Sequence, residues 1–211
     1  METASLLVTL LQPASRRAVH KVLAGRFSRR ERNRILSECW RLYRTLEKEL
    51  PPEETLGARV MVRLAAATAA LYGTLRGAGL SGEEALKTVA GINWLVYRRM
   101  ADVPWALSRA LAGASPIARV RKTMGWLMVY PYSKTGYDMH WKDAGRDTAG
   151  FDVFRCPVAD YFRSKGLNDL CKASFCDLDY PLADRWRVRL VRPRTLSQGH
   201  PVCDFRFVAL P

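Results

Sequence analysis

The sequence is poor in the residues that build metal and nucleotide sites. It has 3 histidines, His20, His140 and His200, and no two stand at a His-x-x-x-His spacing. Its 5 cysteines, Cys39, Cys156, Cys171, Cys176 and Cys203, contain no Cys-x-x-Cys pair. The step from Cys171 to Cys176 is not a standard ligand spacing either. A structural zinc is therefore not expected, no metal ligand is assigned, and no cofactor is called for. Phosphate-gripping glycine loops of the Walker or Rossmann kind are also missing, which disfavours nucleotide-dependent enzymes. Apolar runs are short: Val89 to Tyr97 falls well below the roughly 20 residues of a membrane-spanning helix. The run Leu6 to Leu11 follows no basic stretch and stops at Pro13, a poor signal peptide. Without an export signal, an odd number of cysteines argues for reduced thiols rather than a disulfide framework. The expected location is the cytoplasm.

What the chain has in excess is positive charge: Lys+Arg 34 against Asp+Glu 20 in 211 residues, a net +14. One concentration is Arg16, Arg17, Lys21, Arg26, Arg29, Arg30, Arg32 and Arg34; another is Arg185, Arg187, Arg189, Arg192 and Arg194. Such runs mark a solvated face, or suit an acidic protein partner or an anionic small substrate. Nucleic-acid binding would want interleaved aromatics for stacking. Only Phe27 and Trp186 fall inside the two stretches, so nucleic acid is not an expected partner. The partner classes retained are a small carboxylate-bearing substrate and an acidic protein; a membrane is not among them.

The first half reads as helices. Ser28 with Glu31, and Ser81 with Glu84, have the spacing of capping boxes. Ile35, Cys39, Leu42, Leu46 and Leu50 recur near the helical period, in a helix expected to end at Pro51-Pro52. A second helix is expected from about Glu54 to about Arg76, with small residues from Ala65 to Ala70 permitting close packing. After Gly77 and Gly79, a third presents Ala85, Val89, Ile92 and Val96 on one face, and Pro104 is expected to break or kink it. Ser115-Pro116 reads as an N-cap followed by proline at the first helical position.

After Tyr130 the period changes to two. Tyr137, Met139 and Trp141 alternate with Asp138, His140 and Lys142 as a half-buried strand, and Phe151 to Cys156 reads as its hairpin partner. A short helix is expected over Pro157 to Lys165, stopping at Gly166, and a longer one across Asp169 to Trp186. Val188 and Leu190 mark a third strand. The turn from Ser197 to Pro201 leads into a last strand on which Cys203, Phe205 and Phe207 share a face. The expected fold is α+β, with N-terminal helices packed against a small, mainly antiparallel β-sheet in the C-terminal half. A basic helical segment, 1–50, and an α+β domain, 51–211, are expected to form one compact unit.

Cys156 closes a strand where Pro157 opens a helix. Free N–H groups at a helix start favour a thiolate, and Asp160 lies one turn on. A buried cysteine filling space at a strand end is the other reading. Cys176 and Asp179, three apart, share a helix face, which sets a carboxylate beside a thiol for acid–base work. An exposed acidic turn is the plainer alternative. Arg192, Arg194 and Arg206 fall on the last two strands, where an arginine fork holds a carboxylate or merely makes a polar sheet face. Arg194 and Arg206, with His140 and His200, are the substrate-binding candidates.

Several of these residues lie in longer motifs. Phe154-Arg155-Cys156-Pro157, Asp160-Tyr161-Phe162, Gly166-Leu167, Leu170-Cys171 and Phe175-Cys176-Asp177-Leu178-Asp179-Tyr180, in that order, resemble the central signature of the L-2-amino-thiazoline-4-carboxylic acid hydrolase family. Arg194-Thr195-Leu196, Gly199 and Cys203-Asp204-Phe205-Arg206-Phe207 resemble its closing motif. The resemblance implies a hydrolase that opens a cyclic amidine-like ring, 2-amino-thiazoline-4-carboxylate or a related heterocycle, in a natural-product pathway. The implied catalytic group is a Cys156 nucleophile, or water activated by Asp160 or Asp179, with Cys176 alongside and the substrate carboxylate on Arg194 or Arg206. Fold does not fix substrate. A non-catalytic ligand- or carrier-protein-binding module, and a different ring-forming or ring-opening enzyme of the family, are the alternatives.

Overall fold

The computed structural model describes residues 3–210. Six helices come first: α1 (Thr3–Leu10), α2 (Gln12–Val22), α3 (Arg29–Glu47), α4 (Leu56–Gly77), α5 (Gly82–Ala112) and α6 (Pro116–Leu127). A hairpin of β1 (Asp138–Lys142) and β2 (Thr148–Arg155) follows, then α7 (Pro157–Ser164), α8 (Asn168–Ser174), α9 (Asp179–Arg185), β3 (Val188–Val191) and β4 (Cys203–Ala209). The strands form one sheet in the order β1-β2-β4-β3, with every neighbouring pair antiparallel. The architecture is α+β.

Local chemistry sets the helix starts. Ser28 Oγ accepts from the Glu31 amide at 3.3 Å while the Glu31 carboxylate accepts from the Ser28 amide at 2.7 Å. Ser81 and Glu84 repeat this exchange at 3.2 and 2.8 Å. Each box satisfies donors that a helix start leaves open. Thr55 and Ser115 cap α4 and α6 in the same sense.

Three sequence expectations need correction. The helix that Ser28 opens, α3, ends at Glu47, so Leu50 lies beyond it. Pro104 does not end α5, which continues to Ala112. Contacts beyond the proline hold the helix: Trp105 stacks on Trp186 with centroids 5.0 Å apart, and Arg119 donates to the Trp105 carbonyl at 2.7 Å. The expected helix from Asp169 to Trp186 is instead α8, a 3₁₀ turn at Cys176–Leu178, and α9. Carbonyls left open by that break receive remote donors. Asn93 Nδ2 donates to the Ser174 carbonyl at 3.2 Å, and Arg192 Nη2 to the Cys176 carbonyl at 2.8 Å.

The sheet has two unlike faces, as a period of two requires. Phe151, Val153, Cys203 and Phe207 are buried against the helices. Phe151 and Phe205 stack at 4.7 Å. Asp152 pairs in register with His140 on one side and Asp204 on the other, so these three share the opposite face.

The segment between α6 and β1 is clamped to the first turn of α4. A Cβ on Gly57 would lie 2.0 Å from the Pro131 carbonyl oxygen, and one on Gly136 would lie 2.5 Å from Thr55 Oγ1. Arg155, beside Cys156, extends the clamp by donating to the carbonyls of Thr135 and Gly136 and to the Glu53 carboxylate. Gly57→Ala is therefore expected to cost about 1–3 kcal/mol, because backbone must shift to admit the methyl. Denaturant unfolding checks it; an unchanged midpoint would contradict the close approach.

Candidate active site

Between the helices and the inner sheet face lies a cavity of about 580 Å³, walled mostly by apolar side chains. Its polar groups gather where α5, the turn between α8 and α9, and the segment after β3 meet. Asp179 is central there. Tyr97 on α5 donates its hydroxyl to Asp179 Oδ1 at 3.0 Å, and Arg192 Nη1 donates to Oδ2 at 2.6 Å. Tyr132 also lines the cavity. Burial pushes the Asp179 carboxyl upward against the opposing pull of Arg192 and Tyr97. A buried carboxyl of that kind holds and releases a proton closer to neutrality than a free one.

Cys176 sits at the same place because a 3₁₀ turn repeats every three residues, which stacks Cys176 and Asp179 on one side. Its Sγ lies 3.3 Å from Ser197 Oγ, and Ser197 lies 3.0 Å from Thr195 Oγ1, so a line of hydroxyls runs behind the sulfur. The pKa of Cys176 lies below the ordinary thiol value, drawn down chiefly by the neighbouring Cys171 thiol and then by Ser197 and the Arg192 guanidinium, against burial. Cys171 is pushed the other way, chiefly by Cys176 and then by burial. Ser197 and Arg192 face Cys176, so of the two thiols Cys176 is the one on which a thiolate is favoured.

The remaining thiols are pushed toward the protonated form. Cys156 caps α7 and receives some help from the Ala159 and Val158 amides, yet burial dominates and pushes its pKa up. At Cys156 desolvation thus opposes the thiolate that the helix start favours. Burial takes Cys203 to about 11 and Cys39 to about 12.

Of the site residues expected from sequence, Cys156, Cys176 and Asp179 line the cavity. The others do not reach it. Asp160 is exposed and paired with Arg163 at 3.1 Å. His140 lies on the outer sheet face, 2.6 Å from Asp138, and His200 is exposed in the turn before β4. Arg194 pairs with Asp204 at 2.8 Å, and Arg206 with Asp152 at 2.9 Å, so neither is available to a ligand in the cavity. The arginine that faces inward is Arg192, which together with Arg194 lies beyond the end of β3 rather than on it. Sequence reasoning missed Tyr97 and Tyr132, which line the cavity, and Ser197, which contacts Cys176. A signal for Arg192 was present: Val188 and Leu190 are buried, and two more residues along the same alternation is Arg192. Among the described residues no group of three or more His, Cys, Asp and Glu is placed to hold a metal.

Fold and site together define an α+β protein with a thiol–carboxyl–guanidinium cluster opening into a large apolar cavity. A model of the L-2-amino-thiazoline-4-carboxylic acid hydrolase family matches residues 29–207, and the chain belongs to that family. No curated protein and no solved structure matches it. No helix among the described residues is long and apolar enough to cross a membrane.

Proposed function

We propose that this chain is a hydrolase that opens a cyclic amidine-like ring, of the 2-amino-thiazoline kind in the family name, with Cys176 as nucleophile. The observation that carries the reading is the surroundings of Cys176. Its sulfur is drawn toward the thiolate by Cys171, Ser197 and Arg192, and the buried Asp179 carboxyl stands one 3₁₀ turn away.

In the proposed sequence the Cys176 thiolate forms a bond to the amidine carbon while protonated Asp179 gives its proton to the ring nitrogen. Collapse breaks the ring C–S bond and releases the substrate sulfur as a thiolate. The Asp179 carboxylate takes a proton from a water that adds to the same carbon. Cys176 then leaves as the thiolate, and the remaining hydroxyl proton passes to the substrate sulfur. One water is consumed per ring, and both protein groups return to their starting states. Tyr97 and Arg192 hold Asp179 in place throughout.

Ring opening liberates a thiol, which gives the test. Purified protein is incubated with 2-amino-thiazoline-4-carboxylate and related cyclic amidines, and new thiol is followed with a disulfide reagent. Catalytic release of one thiol per ring is expected. No release across the panel would remove the hydrolase reading.

A further inference from the structure

The chemistry at Cys176 leaves most of the cavity unused. A volume of about 580 Å³ lies in the range that holds drug-sized ligands, well beyond what one small amino-acid-like ring fills. Away from the polar cluster the wall is aliphatic, methionine and aromatic: Trp40, Leu64, Ala67, Met100, Trp126 and Phe207 are examples. These surfaces favour an apolar guest and offer an ionic one nothing.

The cavity also lacks a free cation for a carboxylate. Arg192 is the one Lys, Arg or His side chain among the described lining residues. Its charge is already balanced: Nη1 donates to the Asp179 carboxylate and Nη2 to the Cys176 carbonyl, and the buried Nε alone has no partner. Its guanidinium lies 4.7 Å from the Phe205 ring centroid, and its side chain is only 1% exposed. Arg194 and Arg206 are paired with aspartates outside the cavity. The apolar character continues outward along α5, where Met100 and Val103 line the cavity while 44% and 62% exposed, and Leu107 and Leu111 extend the same exposed stripe.

From the size of the cavity, its apolar wall and its lack of a free cation, we infer that the substrate ring is carried on a bulky, uncharged, apolar body rather than on a carboxylate. The body lies along α4 and α5, and the ring alone reaches Cys176. This inference rests on the ring-opening reading for what happens at the sulfur, but not for what fills the cavity.

The test compares two probes on the full chain. One is 2-amino-thiazoline-4-carboxylate; the other is the same ring with a naphthyl group replacing the carboxylate. Binding is read by tryptophan fluorescence, since Trp40, Trp126 and Trp186 line the cavity, and by calorimetry. The naphthyl probe is expected to bind at least about 100-fold more tightly, from the apolar area it buries less the costs of association. Leu64→Trp and Ala67→Phe each fill the apolar part of the cavity. Both are expected to weaken the naphthyl probe at least about tenfold and to leave the carboxylate probe within about twofold. Circular dichroism melting identifies whichever variant is folded and therefore interpretable. Equal or tighter binding of the carboxylate probe overturns the inference, as does undiminished naphthyl binding in a folded filling variant. Tight naphthyl binding without thiol release supports the apolar ligand and removes the hydrolase reading instead. Turnover of both probes with no binding preference does the reverse.

Discussion

Replacing Cys176 with alanine is expected to lower ring-opening turnover by at least about 10³-fold, the scale seen when a covalent nucleophile is removed. Cys156→Ala is expected to retain turnover within about tenfold. The two thiols line the same cavity, and their environments separate them. Burial favours the protonated form of Cys156, whereas Cys171, Ser197 and Arg192 favour the ionised form of Cys176. The same groups set a pH signature. Activity that needs a thiolate rises as pH climbs through the pKa of Cys176, so the rising limb should fall below the ordinary thiol range. Ser197→Ala removes a hydrogen bond to the sulfur and is expected to move that limb to higher pH. Steady-state kcat/KM measured across pH for the three variants checks each point, with circular dichroism confirming the fold. A fully active Cys176→Ala protein would leave only water activation by Asp179.

Arg192→Leu is expected to destabilise the fold by about 3–5 kcal/mol, the cost of stripping one partner from a buried ion pair. The side chain is 1% exposed and Asp179 is left with Tyr97 alone. The Cys176 carbonyl loses its donor in the same stroke. Replacing both partners, as Arg192→Leu with Asp179→Leu, is expected to recover much of the loss, because no uncompensated charge remains. The pH dependence follows from the raised carboxyl of Asp179. A carboxyl whose pKa is higher folded than unfolded contributes most when protonated in both states, and that contribution is lost as pH rises through the folded value. Without Arg192 to oppose it, burial raises the carboxyl further. The deficit of Arg192→Leu should therefore be smallest in acid and grow toward neutral pH. Urea unfolding at a series of pH values reads this directly; a deficit independent of pH would mean that Asp179 is not the group left exposed to burial.

Much of the scaffold could be read from local pattern. The boxes at Ser28 and Ser81 depend on residues three apart, and the hairpin on a period of two, so both are written in short stretches of chain. The break between α8 and α9 is different. It depends on Asn93 and Arg192, whose donors are 81 and 16 residues from the carbonyls they satisfy. No window along residues 169–186 contains them.

The site shows the same division. Spacing put Cys176 beside Asp179, and the 3₁₀ turn keeps them on one side even though the helix assumed for them is interrupted. Cys156 was read from its place at a helix start, a local feature, while its protonation is decided by everything packed around it. Arg194 lies past the end of β3 and Arg206 on β4, with Arg192 just after Val191, and which side each takes is set by its partners rather than by its neighbours in sequence. Asp204 and Asp152 hold the first two outside, and Phe205 and Asp179 hold Arg192 within. Tyr97 and Tyr132 join the cluster only because α5 and the segment clamped on α4 converge there.

Iodoacetamide labelling of the native chain over a pH series, quantified cysteine by cysteine by mass spectrometry, bears most directly on the nucleophile. Cys176 should label first, with a midpoint under that of an unperturbed thiol, while Cys156 and Cys203 lag even in alkali. Preferential labelling of Cys156, or a Cys176 that stays unreactive until strongly alkaline pH, would contradict the assignment.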